Sequence, residues 1–178
     1  FKNEPYSFFL DSSMHHSQWG RYSFIGYDPF LIFRSKGGNI EIQEGLKVNK
    51  LKGNPFDILR IFHSRYRLPS LINFPPFLGG AVGYFGYDLC HHLEELPSRT
   101  IDDLSLPDCY LGFYDCIITF DHQKENAWMI SCGFPELNEN FREMRAKIRL
   151  AEVKNRISRG QEFINSDMRT DCYLKRDL

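Results

Sequence analysis

The chain has 178 residues, 42% of them hydrophobic and 25% charged, with a formal net charge of -1 at pH 7. That length can bury a real core, and the near-neutral balance gives no bulk attraction to nucleic acid or to an anionic membrane. Aromatics reach 15%, with 16 Phe, so the core should be aromatic-rich, and no run approaches the roughly 20 apolar residues needed to span a bilayer.

The first residues, Phe1-Lys2-Asn3-Glu4-Pro5, have no basic start and no apolar run, so they are no signal peptide. There is no initiator Met, and the chain reads as a fragment. Tyr6 to Leu10 is strand-like and ends at Asp11-Ser12-Ser13. Met14 to Gln18 reads as a loop. Arg21 to Gly26 is a second strand, and Phe30 to Arg34 resumes in extended form after Tyr27-Asp28-Pro29. Lys36-Gly37-Gly38-Asn39 signals a turn between strands, and Ile40, Ile42 and Val48 continue the meander.

Asn54-Pro55 opens a helix, with Asn54 as cap and Pro55 at the first helical position. Phe56, Leu59, Ile61, Phe62 and Tyr66 give it an apolar stripe. Gly79, Gly80, Gly83 and Gly86 punctuate an aromatic and small apolar run. This fits a buried strand that another backbone approaches closely; its spacing matches neither a dinucleotide fingerprint nor a phosphate loop. Leu89 to Glu95 suggests a short helical passage. Tyr110 to Phe120 reads as one buried strand, and Asp121 to Asn126 as a polar hairpin turn before Ala127 to Cys132. A long helix follows from about Glu139 to Arg159, with Phe141, Met144, Ile148, Ala151 and Ile157 on its apolar face and Gly160 as C-cap. Short turns between strands and no regular strand–helix alternation predict an α+β fold: an antiparallel β-sheet with helices on one face.

The five cysteines, Cys90, Cys109, Cys116, Cys132 and Cys172, form no C-x-x-C pair and suggest reduced, buried thiols in a cytoplasmic protein. His15-His16 and His91-His92 are adjacent pairs, which point apart and make poor chelates, so no metal site is expected. Asp102-Asp103 and Asp108 sit in a Pro-flanked loop where capping is expected. Tyr114-Asp115, Asp121-His122 and Trp128 read as structural. No local motif suggests a nucleophilic triad, and no catalytic residue is assigned.

Arg21 and Ser23 alternate with Tyr22 and Phe24, so each pair should share a strand face. The pattern fits either a half-buried meander strand or a small-ligand wall. In the second reading, Arg21 faces a carboxylate and Asp11 an ammonium group. Asp11, Ser12, Arg21, Tyr22 and Ser23 would then converge on an amino-acid pocket.

The glycine run, the Leu10-Asp11-Ser12 segment, the Gly20-Arg21-Tyr22-Ser23-Phe24-Ile25-Gly26 strand and the block from Leu96-Pro97-Ser98 through Asp102-Asp103-Leu104 to Leu106-Pro107-Asp108 resemble the N-terminal half of chorismate-utilising synthases. The last block is closer to the aminodeoxychorismate type than to the anthranilate type. The resemblance implies half of a layered α/β/β/α sandwich, with residues 1–160 as the N-terminal domain and 161–178 as a linker and the start of a chorismate-binding catalytic domain. It implies Mg2+ in that further domain, a glutamine amidotransferase subunit as partner and tryptophan in the amino-acid pocket. Asp11 stands where anthranilate synthases usually carry Glu. The chain alone would be inactive. The other reading is a stand-alone amino-acid-binding or scaffold module.

Overall fold

The computed structural model describes residues 4–11, 20–69, 71–97, 101–160 and 172–173. The fold is α+β, as the short turns between strands and the lack of regular strand–helix alternation predict. Among the described residues there are two sheets instead of one, each of five strands. The chain divides into two compact units, Phe1–Pro29 with Leu68–Gly80 and Tyr114–Leu178, and Phe30–Arg67 with Ala81–Phe113. Residues 1–160 therefore contain parts of both units.

In the first unit, β1 (Phe8–Leu10), β2 (Tyr22–Gly26), β8 (Cys116–Asp121), β9 (Asn126–Ser131) and β10 (Cys172–Tyr173) lie in the order β1-β2-β8-β9-β10. All pair antiparallel except β10, which runs parallel to β9. Helix α2 (Glu139–Gly160) packs on this sheet. Asn138 caps it, its side-chain oxygen accepting from the amides of Asn140 and Phe141 at 3.1 and 3.4 Å.

The helix is predicted in place, but the face it buries is not the predicted one. Ala146, Leu150 and Val153 are buried, with Ile157 packed beside them against Tyr27, Cys116, Ile118 and Met129. Phe141, Met144 and Ile148 are at least half exposed, and Ala151 is exposed too. The buried stripe was hidden by arginines at helical spacing. Arg142 and Arg149 are each only 6% exposed. Arg142 lies over the Phe134 ring, and Arg149 over Tyr27 and beside Asp115.

Asp115 explains that arrangement. The apolar run from Tyr110 to Phe120 is two strands, β7 (Cys109–Tyr114) and β8, in different sheets, and Asp115 is the residue between them. Its side chain is fully buried. Burial pushes its carboxyl pKa up, against the pull of Arg149 and Arg145 at 3.3 and 3.4 Å. Burial alone would lower Arg149's own pKa, but Asp115 and Asp28 overcome that and raise it. Arg149 also reaches Asp28 at 2.8 Å and Glu152 at 2.9 Å.

The second unit's sheet has the order β5-β4-β3-β7-β6, from β3 (Leu31–Lys36), β4 (Asn39–Glu44), β5 (Lys47–Lys52), β6 (Gly80–Phe85) and β7. Helix α1 (Pro55–Arg65) begins as predicted, with Pro55 in the first turn and the Phe56 amide donating to Asn54 Oδ1 at 3.0 Å. Its Phe62 meets Phe113, and Tyr66 at its C-cap meets Phe30, with ring centroids 6.0 and 4.9 Å apart. Ile61, expected on the same stripe, is 60% exposed because it lies on the helix's other side. The passage after Gly86 is a 3-10 turn over Tyr87–His92.

The glycine-rich strand is β6, at the sheet edge. Contrary to the sequence reading it is not interior: Gly83 is exposed and Gly86 half-buried. The close backbone approach is nonetheless present. A Cβ on Gly83 would fall on the carbonyl oxygen of Tyr110, and one on Gly86 would stand 2.9 Å from that of Asp108. Gly79 is half-buried, with the Tyr114 carbonyl 3.0 Å from where its Cβ would be, and Gly80 lies against the Phe77 ring. A neighbouring backbone demands glycine whether or not solvent covers the other side.

Among the described side chains four cysteines are free: Cys109, Cys116 and Cys132 are buried and Cys90 is half-buried. Burial pushes the thiols of Cys109 up to about 11 and of Cys116 and Cys132 up to about 12, so they stay protonated at neutral pH.

Two substitution pairs check this description by urea unfolding. Leu150→Ala should cost about 2–5 kcal/mol, the range for a buried leucine, whereas Met144→Ala should stay within about 0.5 kcal/mol. The reverse order would restore the predicted helix face. Gly83→Ala should destabilise by roughly 1–3 kcal/mol through overpacking against Tyr110. Gly53→Ala, with nothing within 4 Å of the new methyl, should change far less.

Candidate functional site

Strand alternation governs what β2 can present. Tyr22 stands across from Asp121 and Phe24 from Thr119, which itself pairs with Trp128. These residues share one face of the first unit's sheet. Ser23 and Ile25 point to the other face, where α2 packs.

Arg21 precedes the first residue of β2 and is free of its alternation. Its guanidinium lies 4.8 Å from the centre of the Tyr22 ring and forks onto Asp121, Nε to Oδ1 at 2.9 Å and an Nη to Oδ2 at 2.6 Å. Asp121 is only 3% exposed and also accepts from the amides of Gln123 and Lys124 at 3.2 Å each, which shapes the β8–β9 hairpin. The bidentate bond to Arg21, helped by these amides, holds the Asp121 carboxyl below its ordinary pKa. Arg21, Tyr22, Phe74, Asp121, Lys124 and Trp128 line a hollow of about 260 Å3, with the Phe74 and Trp128 rings 5.8 Å apart.

A second cluster lies on the opposite face. Ser23 Oγ, on a side chain 1% exposed, is 2.7 Å from Asp11 Oδ1 and 2.6 Å from His122 Nε2. A hydroxyl has one proton to give. It donates to the carboxylate and accepts from His122, which puts a proton on Nε2. This is no nucleophilic relay, because a triad needs the imidazole between serine and acid and here the serine is in the middle.

The structure thus separates residues that the sequence reading joined. Arg21 and Tyr22 belong to the hollow, and Asp11 and Ser23 to the opposite cluster. Arg21 does not share a face with Ser23. Ser12 lies outside the described residues, as do His15 and His16. Asp121 and His122 organise both clusters, yet they read from sequence as turn polarity. The signal that would have found them is the β2–β8 register, and nothing local in the chain prints it. His92 contacts the Gly37 carbonyl at 3.1 Å. Among the described residues no three His, Cys, Asp or Glu side chains come together to hold a metal. The resemblance assigns magnesium to the further domain and not to these residues. Among the described residues no helix is long and apolar enough to cross a membrane.

The low pKa of Asp121 has a consequence in acid. A carboxyl whose folded pKa is depressed stabilises the fold above its unfolded pKa, near 3.9, and loses that contribution as pH falls through the folded value. The stability margin of the wild type over Asp121→Asn should be flat above about pH 5 and shrink steadily toward pH 2. Urea melts across that window measure it. A margin independent of pH would contradict the ion pair.

Comparison with known proteins agrees with the resemblance seen in the sequence. Anthranilate synthase component 1 of Acetivibrio thermocellus is 38% identical over 131 residues, 73% of this chain and 26% of that protein. Aminodeoxychorismate synthase component 1 of Bacillus subtilis is 38% identical over 115 residues, 63% of this chain and 24% of that protein. The chain therefore spans about a quarter of the length of these curated relatives. The solved structure of anthranilate synthase component I from Streptococcus pneumoniae TIGR4 matches with a TM-score of 0.59, covering 82% of this chain and 31% of that one; at 23% identity it shows a shared fold. The family described as chorismate binding enzyme matches residues 5–171, nearly the whole sequence, and this chain belongs to it.

Proposed function

We propose that this chain is part of component 1 of an aminodeoxychorismate synthase, which replaces the 4-hydroxyl of chorismate with ammonia and releases water. The family match over residues 5–171 carries the chorismate assignment. The Leu96-Pro97-Ser98, Asp102-Asp103-Leu104 and Leu106-Pro107-Asp108 block supports the aminodeoxychorismate product. Part of that block is structural: Lys36 ties to Asp102 at 2.6 Å and to Asp108 at 3.0 Å. The second reading, component 1 of an anthranilate synthase, is favoured by the longer of the two matches, 131 residues against 115.

We assign no catalytic group for this amination among the described residues. In the proposal the chemistry belongs to a chorismate-binding domain beyond this chain, with ammonia delivered by a glutamine amidotransferase subunit. A regulatory amino acid such as tryptophan remains in the proposal on the Asp11 side alone. Asp11 is an exposed carboxylate, fixed in place by Ser23, and can accept an ammonium group. Arg21 is committed to Asp121 and is withdrawn as the carboxylate partner.

Product analysis decides the reaction. The longest natural protein carrying this sequence, given chorismate, ammonia and magnesium, should form 4-amino-4-deoxychorismate, and the 178-residue chain alone should form no product. Fluorescent anthranilate instead would select the second reading, and no turnover of chorismate would end both. In calorimetry with tryptophan, Asp11→Ala should weaken binding roughly tenfold, the scale of one charge-assisted hydrogen bond, while Arg21→Gln should leave it unchanged.

A further inference from the structure

Four cations line one hollow, of about 740 Å3, in the second unit. The strand register places them. Lys52 stands across from Asn39 and Asn39 from Lys36, while Lys50 stands across from Glu41 and Glu41 from Arg34. Directly paired residues share a face, and so do residues two apart along a strand. Arg34, Lys36, Lys50 and Lys52 therefore project on the same side as Glu41. Ser105 and Pro107 wall the hollow. Their loop is tied down: the Gly37 amide donates to Asp108 at 2.6 Å, the Ser105 amide donates to Asp102 at 2.9 Å, and Lys36 bridges both acids.

The charges are distributed unevenly along this face. Lys36 is met by two carboxylates. At the other end a single carboxylate, Glu41, serves both Arg34 at 3.2 Å and Lys50 at 3.4 Å. Among the described residues Lys50 shares Glu41 with Arg34 and Lys52 meets no carboxylate, so this end is rich in positive charge. Arg34 is already oriented, its guanidinium 5.0 Å from the Tyr110 ring centre and donating to the Tyr110 hydroxyl at 3.2 Å. A preset fork costs little further ordering when an anion arrives. The volume falls in the range of small-molecule sites, roughly 300–1,000 Å3.

We propose that this hollow binds a small dianion, a phosphate monoester or a dicarboxylate, with its charged head held between Arg34, Lys50 and Lys52. The site belongs to the unit that does not hold Asp11 or Arg21, and it does not depend on which reaction the parent protein performs.

The test is an amide NMR titration of the full chain with inorganic phosphate, with malonate and with sodium chloride at matched ionic strength. Saturable shifts confined to β3, β4 and β5 are expected with phosphate or malonate and not with chloride. The anion that saturates at lower concentration identifies the source of the charge. Lys50→Gln/Lys52→Gln should weaken the apparent Kd at least about tenfold, the scale of one lost charge-assisted hydrogen bond. Lys47→Gln, on the same strand but outside the hollow, should titrate like the wild type. If the double variant loses its spectrum, Lys52→Gln alone makes the same comparison. Shifts that follow ionic strength alone, or lysine variants that titrate like the wild type, would overturn the proposal.

Discussion

Asp115 places a carboxylate where the chain leaves one sheet and enters another, with no solvent to receive it. A buried acid must be neutralised or answered by a positive charge. Arg149 and Arg145 answer it from α2, which fixes how that helix lies on the sheet of the first unit. Once Arg149 faces inward, helical spacing brings Ala146, Leu150, Val153 and Ile157 inward as well. Phe141, Met144 and Ile148 then have to face out. The helix is thus oriented by charge as much as by hydrophobicity, and three of its large apolar residues, Phe141, Met144 and Ile148, end up on the wet side.

The same strand alternation that builds the first sheet partitions the candidate site. β2 pairs with β8, and each pair carries one residue up and its successor down. Asp121 and His122 are neighbours in sequence, so one organises the Arg21 hollow and the other the Ser23 cluster. A ligand that needs both Asp11 and the Arg21 guanidinium finds them on opposite faces. This is why the amino-acid proposal rests on Asp11 and why Arg21 is read as an architectural residue that locks the β8–β9 hairpin.

Much of the fold was legible in the chain. The Asn54-Pro55 cap, the Gly37-Gly38 turn, the Asp121–Asn126 hairpin and the span of α2 all have local chemistry that determines them. The family resemblance was legible too, from glycine and aromatic spacing around Gly79 and Tyr22. What escaped was long-range. Nothing near Asp115 shows that an apolar run changes sheets, because a polar residue in a strand also fits a simple solvent-facing position. Arg142 and Arg149 look like a solvated face until their partners, more than a hundred positions away in the case of Asp28, are known. Gly83 demanded a close backbone neighbour and received one in Tyr110, but the demand is silent about whether the strand is central or at an edge.

The direct measurement is a double-mutant cycle of Asp115→Asn and Arg149→Met, read by urea unfolding. If the pair orients α2, removing either partner alone should be strongly destabilising, about 3–5 kcal/mol, and the double variant should recover much of that loss. With the double variant no worse than either single one, the coupling should reach at least about 3 kcal/mol, the top of the range for residues in contact. Single losses that simply add, within about 0.5 kcal/mol, would mean that the helix is held by its apolar stripe alone and that Asp115 does not organise the fold.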